Sequence, residues 1–367
     1  MPLHELADKG TAVMSIGQLT WFRFLHNWAA VGAGILLIGF YLAALLAGFL
    51  APYHVDTTHS KFAGVGANPI TFIDRQGRFH WPPFVYGYEA KLDPVTYQRV
   101  ARRTDDMYPV RFFGKGDPYK LLGFETDRHL FVVDDPGKVF LLGTDSLGRD
   151  LFTRILYGSQ VSLSVGLLGV FLSLIIGSLV GVAAGYFGGT LDNVVMRIVE
   201  VLMSFPQIPL WLALASALPP NLDSVKVYFG ITVVLSVVNW GYLARQLRAK
   251  VLALRDSDYV MAARLSNCTD FRVIARHLLP NMLSHIIVSA TLAIPGMILG
   301  ETSLSFLGLG IRPPMTSWGL LLSEAQATRV LLQQPWLLWP IAPVMIVALS
   351  FNLLGDGIRD AVDPYAS

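Results

Sequence analysis

The chain has 367 residues, of which 53% are hydrophobic and only 15% charged, and its formal net charge is +2. Soluble domains carry about 25% charged residues, so this shortfall excludes a disordered chain and an ordinary soluble enzyme. The near-neutral balance excludes a nucleic-acid binder held by charge, and a single cysteine, Cys268, excludes an internal disulfide framework.

The apolar residues are gathered into runs, and a bilayer-spanning helix needs about 20 of them in succession. Residues 28–51 form the first run, without a charge. It is longer than the roughly 7–15 apolar residues of a cleaved signal peptide, so a retained helix is expected. Residues 52–157 are polar enough to fold in water. Within them 70–81 (ITFIDRQGRFHW) and 130–142 (LFVVDDPGKVFLL) read as hairpins, and 93–103 (DPVTYQRVARR) as a helix opened by Asp-Pro. The expectation is a small α+β insertion that meets a soluble partner, forms a lid, or covers the helix ends.

Further spans are predicted at 162–187, 194–218, 227–244, 282–309 and 336–355, which makes six. Pro206, Pro209, Pro295, Pro340 and Pro343 are expected to kink or break them. Gly177, Gly181 and Gly185 fall four apart on one face of the second span, a spacing that lets helix backbones approach closely, within the chain or against a partner. Glu200 and Glu301 are candidate pathway or outer-gate residues, because carboxylates in a span usually face a cavity or the bundle interior. Alternatively, Glu200 pairs with Arg197 three residues earlier, and Glu301 is a hydrogen-bonded carboxylate near the outer interface.

The 245–277 loop holds seven Lys/Arg against Asp256, Asp258 and Asp270. Clustered positive charge in a short loop predicts a cytoplasmic position. With six spans, both termini are then cytoplasmic and 52–157 is outside. Within this loop 258–265 (DYVMAARL) and 270–279 (DFRVIARHLL) read as short helices joined by a turn at 266–269. Ala262 and Ala263 offer a smooth surface, suited either to a partner's socket or to a connector lying on lipid. The sequence contains no G-x-x-x-x-G-K-[ST] phosphate cradle and no Cys/His metal cluster. No catalysis is expected, so energy for transport must come from another subunit or an ion gradient.

Several stretches together carry a family resemblance: 142–158 (LGTDSLGRDLFTRILYG), 185–192 (GYFGGTLD), 258–281 (DYVMAARLSNCTDFRVIARHLLPN), 301–310 (ETSLSFLGLG) with 313–319 (PPMTSWG), and 351–364 (FNLLGDGIRDAVDP). The sequence resembles a permease subunit of an ABC importer of the dipeptide/oligopeptide/nickel group, on the side of the second permease of the pair. The match is close over 141–364 and loose over 11–53. It implies an all-α polytopic membrane protein with six transmembrane helices of the type I importer permease fold. It also implies a second homologous permease, two ABC ATPases that bind ATP and Mg, and an extracytoplasmic substrate-binding protein, in a bacterial inner membrane.

Carried onto this sequence, the ATPase-coupling residues are Asp258, Tyr259, Met261, Ala262, Ala263, Arg264, Asn267, Arg276 and Pro280, and the outer signature is Asp145, Gly148, Arg149 and Asp150. Two positions depart from the group's pattern. Met261 stands where a glutamate is usual, and Asn267 where a glycine is usual, although Asn tolerates a left-handed backbone. The expected organisation is a 1–27 cytoplasmic segment, helix 1 at 28–51, the outer 52–157 segment, a 158–357 core with the coupling loop at 245–280, and a 358–367 tail. Peptides are the expected substrate, with nickel, opines or oligosaccharides as alternatives. A proton-coupled carrier using Glu301 and a membrane scaffold are readings of other classes.

Overall fold

The computed structural model describes residues 16–92, 99–121 and 123–363. Helix α1 (Ile16–His26) leads into α2 (Trp28–Leu45), whose first turn is capped by Asn27, Oδ1 accepting the Ala30 amide at 3.1 Å. After a break at Leu46, α3 (Ala47–Leu50) completes the first span. The chain then leaves the bundle.

This segment beyond the bundle is a β structure. Strands β1 (Thr71–Ile73), β2 (Phe79–Leu92), β3 (Arg99–Phe112) and β6 (Phe131–Val133) form one antiparallel sheet in the order β1-β2-β3-β6, while β4 (Lys115–Leu121) and β5 (Phe124–Arg128) pair separately. The 70–81 hairpin is present, with Ile73 opposite Phe79. The helix expected at 93–103 is corrected: Arg99–Arg103 lies in β3, opposite β2, and 93–98 fall outside the described residues. Val and Thr suit a pleated surface, and pairing with a long neighbour outweighs the local start signal. The 130–142 hairpin is also corrected. Its turn forms, with the Gly137 amide donating to the Asp134 carbonyl at 2.9 Å, but its arms part. Phe131–Val133 pairs with the end of β3, and Phe140 bridges to Asn68.

The chain returns in α4 (Leu151–Phe187), 37 residues long. It starts well before the predicted span because Asp150 caps it, Oδ2 accepting the Thr153 amide at 2.8 Å. At 1.5 Å per residue the helix is about 55 Å long, more than a hydrocarbon core of about 30 Å requires. The third span is not continuous. Helices α5 (Gly189–Ser204) and α6 (Gln207–Ser216) meet at 95°. Pro206 lacks an amide to continue the ladder and forces extended backbone on Phe205 (φ −86°, ψ 141°).

Next come α7 (Ser224–Leu254), the short α8 (Asp258–Leu265) and α9 (Asp270–Val273), and α10 (Leu279–Phe306), which runs through Pro295 without ending. After α11 (Trp318–Glu324) and α12 (Thr328–Gln333), α13 (Ile341–Val362) starts at Pro340. Among the described residues, five helices are long and apolar enough to cross a membrane, or six if the bent pair counts as one span.

The α4–α7 seam organises this bundle. A Cβ on Gly177 would lie 2.8 Å from the Trp240 carbonyl oxygen, and one on Gly185 would lie 2.8 Å from that of Arg248. Between them, one on Gly181 would run into the Ala244 backbone. The partners step by four along α7 as the glycines do along α4. Further up, Ser173 Oγ donates to the Ser236 carbonyl at 3.1 Å, and Ser236 Oγ donates to the Gly169 carbonyl at 3.0 Å. The glycine stripe is therefore packed inside this chain.

Gly181→Ala should lower the apparent melting temperature of the purified protein in detergent, because overpacking costs about 1–3 kcal/mol. Gly296→Ala, where an added Cβ meets nothing within 4 Å, should leave it unchanged. Equal melting curves would refute the tight seam.

Candidate functional site

The bundle has two distinct ends. At one, the turn after α4, the α8–α9 elbow, α1 and the end of α13 come together; Arg23 Nη1 donates to the Asp363 carbonyl at 2.9 Å. At the other lie the β insertion and the segment between α10 and α13.

The elbow is built on a buried hinge. Val260 and Ala263 on α8, Val273 on α9 and Leu278 are buried with Val182, Tyr186, Leu247, Val251 and Met282 from α4, α7 and α10. Asp258, Met261, Ala262 and Leu265, at helical spacing, form the opposite, exposed face of α8. Leu265 is 89% exposed, and Phe271 on α9 is 80% exposed. Ala263 therefore does not share the outward surface expected of it, because it faces the hinge; of the two alanines only Ala262 is exposed. Met261 stands on the outward face, so its departure from glutamate changes the exposed surface and leaves the elbow's interior untouched.

Asn267 ends α8 with a left-handed residue, φ 56°. The Cys268 amide donates to the Ala263 carbonyl at 3.2 Å, and the Asn267 amide to the Arg264 carbonyl at 3.0 Å, the two bonds of a Schellman turn. Thr269 then caps α9 through the Arg272 amide at 3.4 Å. Arg276 and Pro280 join Thr269, Phe271, Arg272 and Ala275 around a shallow open groove of about 550 Å³.

Two side chains fasten the elbow to the spans. Tyr186, in the last turn of α4, donates its hydroxyl to Asp270 Oδ1 at 2.6 Å, while the Arg264 guanidinium sits 4.8 Å over its ring. One tyrosine thus holds both short helices. Asn281 Nδ2 donates to the Tyr259 hydroxyl at 3.3 Å and to the His277 carbonyl at 2.7 Å, which ties α8 to α10. Beside them, Arg248 on α7 holds Asp192 on α5 by two bonds, Nη2 to Oδ2 at 2.6 Å. The 185–192 motif is a set of anchors: glycine for approach, tyrosine for the elbow, aspartate for α7.

At the other end, the outer signature forms a turn. Asp145 Oδ1 accepts the Leu147 and Arg149 amides at 2.9 Å each, and Oδ2 accepts Arg149 Nε at 2.6 Å. Gly148 has φ 79°, and a Cβ there would strike the His59 backbone. The same D-x-x-G-R turn occurs at 74–78, where Asp74 Oδ1 accepts the Gln76 and Arg78 amides at 2.9 Å each. Hydrogen bonds from His80 and Arg78 hold the Asp74 carboxyl well below the usual carboxylate range. At Asp150, burial pushes the carboxyl up to about 7.

The outer turn closes on two residues that sequence reasoning missed. Buried Arg154 on α4 donates Nη1 to Asp145 Oδ2 at 2.9 Å, and its Nη1 and Nη2 grip Glu324 of α11. Arg149 Nη2 reaches the same Glu324 at 3.2 Å. Two arginines and two carboxylates thus balance, and they pin the start of α4 to the α10–α13 connection. An arginine inside the apolar stretch LFTRILYG was the only signal in the sequence.

Glu301 is fully buried and lies on no open wall. Its Oε2 accepts Ser162 Oγ at 3.0 Å, and its Oε1 accepts Ser305 Oγ at 2.7 Å. Each serine oxygen in turn accepts a backbone amide, Trp318 at 3.1 Å and Ile311 at 3.0 Å. The carboxylate therefore holds both ends of the 311–318 loop, and a carrier mechanism built on Glu301 finds its acid enclosed. Glu200 is exposed and pairs with Arg197 at 3.4 Å.

Removing one partner from a buried ion cluster costs about 3–5 kcal/mol. Arg154→Ala should therefore lower the apparent melting temperature much more than Glu324→Gln, whose carboxylate is partly exposed. Equal shifts would contradict the central position of Arg154.

Comparison with known proteins places the chain. The profile described as binding-protein-dependent transport system inner membrane component matches residues 177–366, and that of the N-terminal TM domain of oligopeptide transport permease C matches 15–67. A putative peptide transport system permease protein of Brucella suis is 43% identical over 231 residues, 62% of this chain and 75% of that protein. The dipeptide transport system permease protein DppC of Alkalihalophilus pseudofirmus is 40% identical over 230 residues, 62% and 73% of the two chains. The oligopeptide transport system permease protein OppC of Haemophilus influenzae is 40% identical over 223 residues, 60% and 69%. The chain belongs to the family of inner membrane components of binding-protein-dependent transport systems, the permease subunits of ABC importers.

Proposed function

We propose that this chain is one of two homologous permeases in an ATP-driven, binding-protein-dependent importer of peptides. The relatives' names support the substrate class. The positive charge of 245–277 supports a cytoplasmic elbow; both termini then lie in the cytoplasm, and the β insertion faces the binding protein. The membrane is the bacterial inner membrane.

The observation that carries the coupling mechanism is the elbow itself, an exposed apolar face on a hinge fastened to α4, α7 and α10. Two ATPases bind ATP and Mg; this chain contributes no catalytic residue. Their closure pushes on Met261, Ala262, Leu265 and Phe271. Tyr186, Asn281 and the buried hinge pass that displacement to three spans at once, and Arg248 passes it to α5 through Asp192. A packed hinge of this kind moves as a unit because it has no space in which to deform. The bend between α5 and α6 leaves a half-exposed helix pair facing away from the core, suited to meet the second permease across the pathway.

Leu265→Glu and Phe271→Glu, separately, place a charge on the docking face without touching the hinge. Loss of an apolar contact anchor costs about 2 kcal/mol or more. Each variant should hold its melting temperature but lose substrate-stimulated ATP hydrolysis in the reconstituted complex. Full stimulation in both would overturn the assignment of this face.

A further inference from the structure

We infer that the β insertion rests on the bilayer surface at its end of the bundle, through two stacks of aromatic rings, adjacent at Phe112 and Phe113, that continue the exposed apolar stripe of the first span. Trp28, Ile35, Ile38, Leu42 and Leu45 are exposed at helical steps of seven, three, four and three, and Phe49, four further on, is partly exposed. Helical bonding persists through the break, with the Leu46 amide on the Leu42 carbonyl and the Leu50 amide on the Leu46 carbonyl, each at 2.9 Å.

From Trp28 to Phe49 the helix rises about 32 Å, against a hydrocarbon core of about 30 Å. Aromatic side chains concentrate at the two interfaces. Trp28, 85% exposed, marks one interface; Phe49 stands at the depth of the other.

The sheet joins the stripe at this depth. Phe113 stacks on Phe49 with centroids 6.2 Å apart and planes at 30°. Its neighbour Phe112 stacks on Trp81 (6.5 Å, 23°), Trp81 on Phe72 (6.1 Å, 17°), and Phe72 on Phe79 (6.0 Å, 10°). Phe72, Phe79, Trp81 and Phe112 come from β1, β2 and β3, Phe113 follows β3, and all five are exposed; Trp81 reaches 71%. A contiguous apolar patch of this kind marks an interaction surface. Continuity with the stripe identifies the surface as lipid, because the stacks start where the first span leaves the hydrocarbon. Flat aromatic rings suit the headgroup level, where an apolar body meets water.

A nitroxide on Trp81→Cys, in the full chain with Cys268→Ser, tests it in liposomes of phosphatidylethanolamine and phosphatidylglycerol containing the assembled importer. The collision rate with oxygen is compared with that for a water-soluble nickel chelate. The same label on Asp105→Cys, where the native side chain is 85% exposed, serves as the reference. Position 81 should favour oxygen several-fold more strongly than position 105. Equal ratios would overturn the inference in favour of a water-facing sheet. Shielding of position 81 from both reagents would overturn it in favour of a protein partner. If Trp81→Cys impairs assembly, Phe79→Cys carries the label and the same outcomes decide.

Discussion

The backbone contact between α4 and α7 is the constraint on which the other contacts depend. Gly177, Gly181 and Gly185 leave no side chain between the two helices, so α7 lies directly on α4 along the half that leads to the elbow. That approach puts Arg248 beside Asp192, and it brings Val251 and Leu247 onto Val182 and Tyr186. Were the seam wider, the hinge under α8 and α9 would lose one of its walls. Membrane helices gain little from apolar burial against each other, since lipid is as apolar as leucine; close packing and polar links must supply the association. This chain uses both, glycines at one end of the seam and serine–carbonyl bonds at the other.

Helix α4 is also long enough to connect two jobs. Its start is fixed by the Asp150 cap and by the cluster of Arg154 with Asp145, Arg149 and Glu324. Its end holds the elbow through Tyr186. A push at the elbow therefore acts on a rod whose far end is fixed to the α10–α13 connection. Glu301 fixes that same connection from within, through two serine relays. One end is stiffened by polar bonds in two places, while the elbow end combines a packed hinge with the Tyr186, Asn281 and Arg248 bonds. Such an arrangement favours rigid-body movement of whole helices over local bending.

Local signals carried much of this into the sequence. The apolar runs announced the spans, and the motif at 258–281 announced two short helices around a turn that needed a left-handed residue, which Asn267 supplies with φ 56°. Features set by distant partners were not legible. Arg154 and Glu324 are 170 positions apart, so neither predicts the other. The inward turn of Ala263 depends on which face of α8 meets the spans, and two adjacent alanines do not reveal it. The strand at Arg99–Phe112 overrode an Asp-Pro helix signal because β2 was available to pair with it. The 95° bend was partly legible: Pro206 predicted a break, but the angle follows from Phe205 becoming extended and from what each half packs against.

The central claim is that the exposed face of α8 is where an ATPase takes hold. The most direct measurement is photo-crosslinking from an unnatural amino acid at position 265 in the assembled importer, in lipid, with and without ATP. The account predicts a single major adduct with the ATPase subunit, changing in yield as the nucleotide state changes. An adduct with lipid alone, or none with the ATPase in any state, would contradict it.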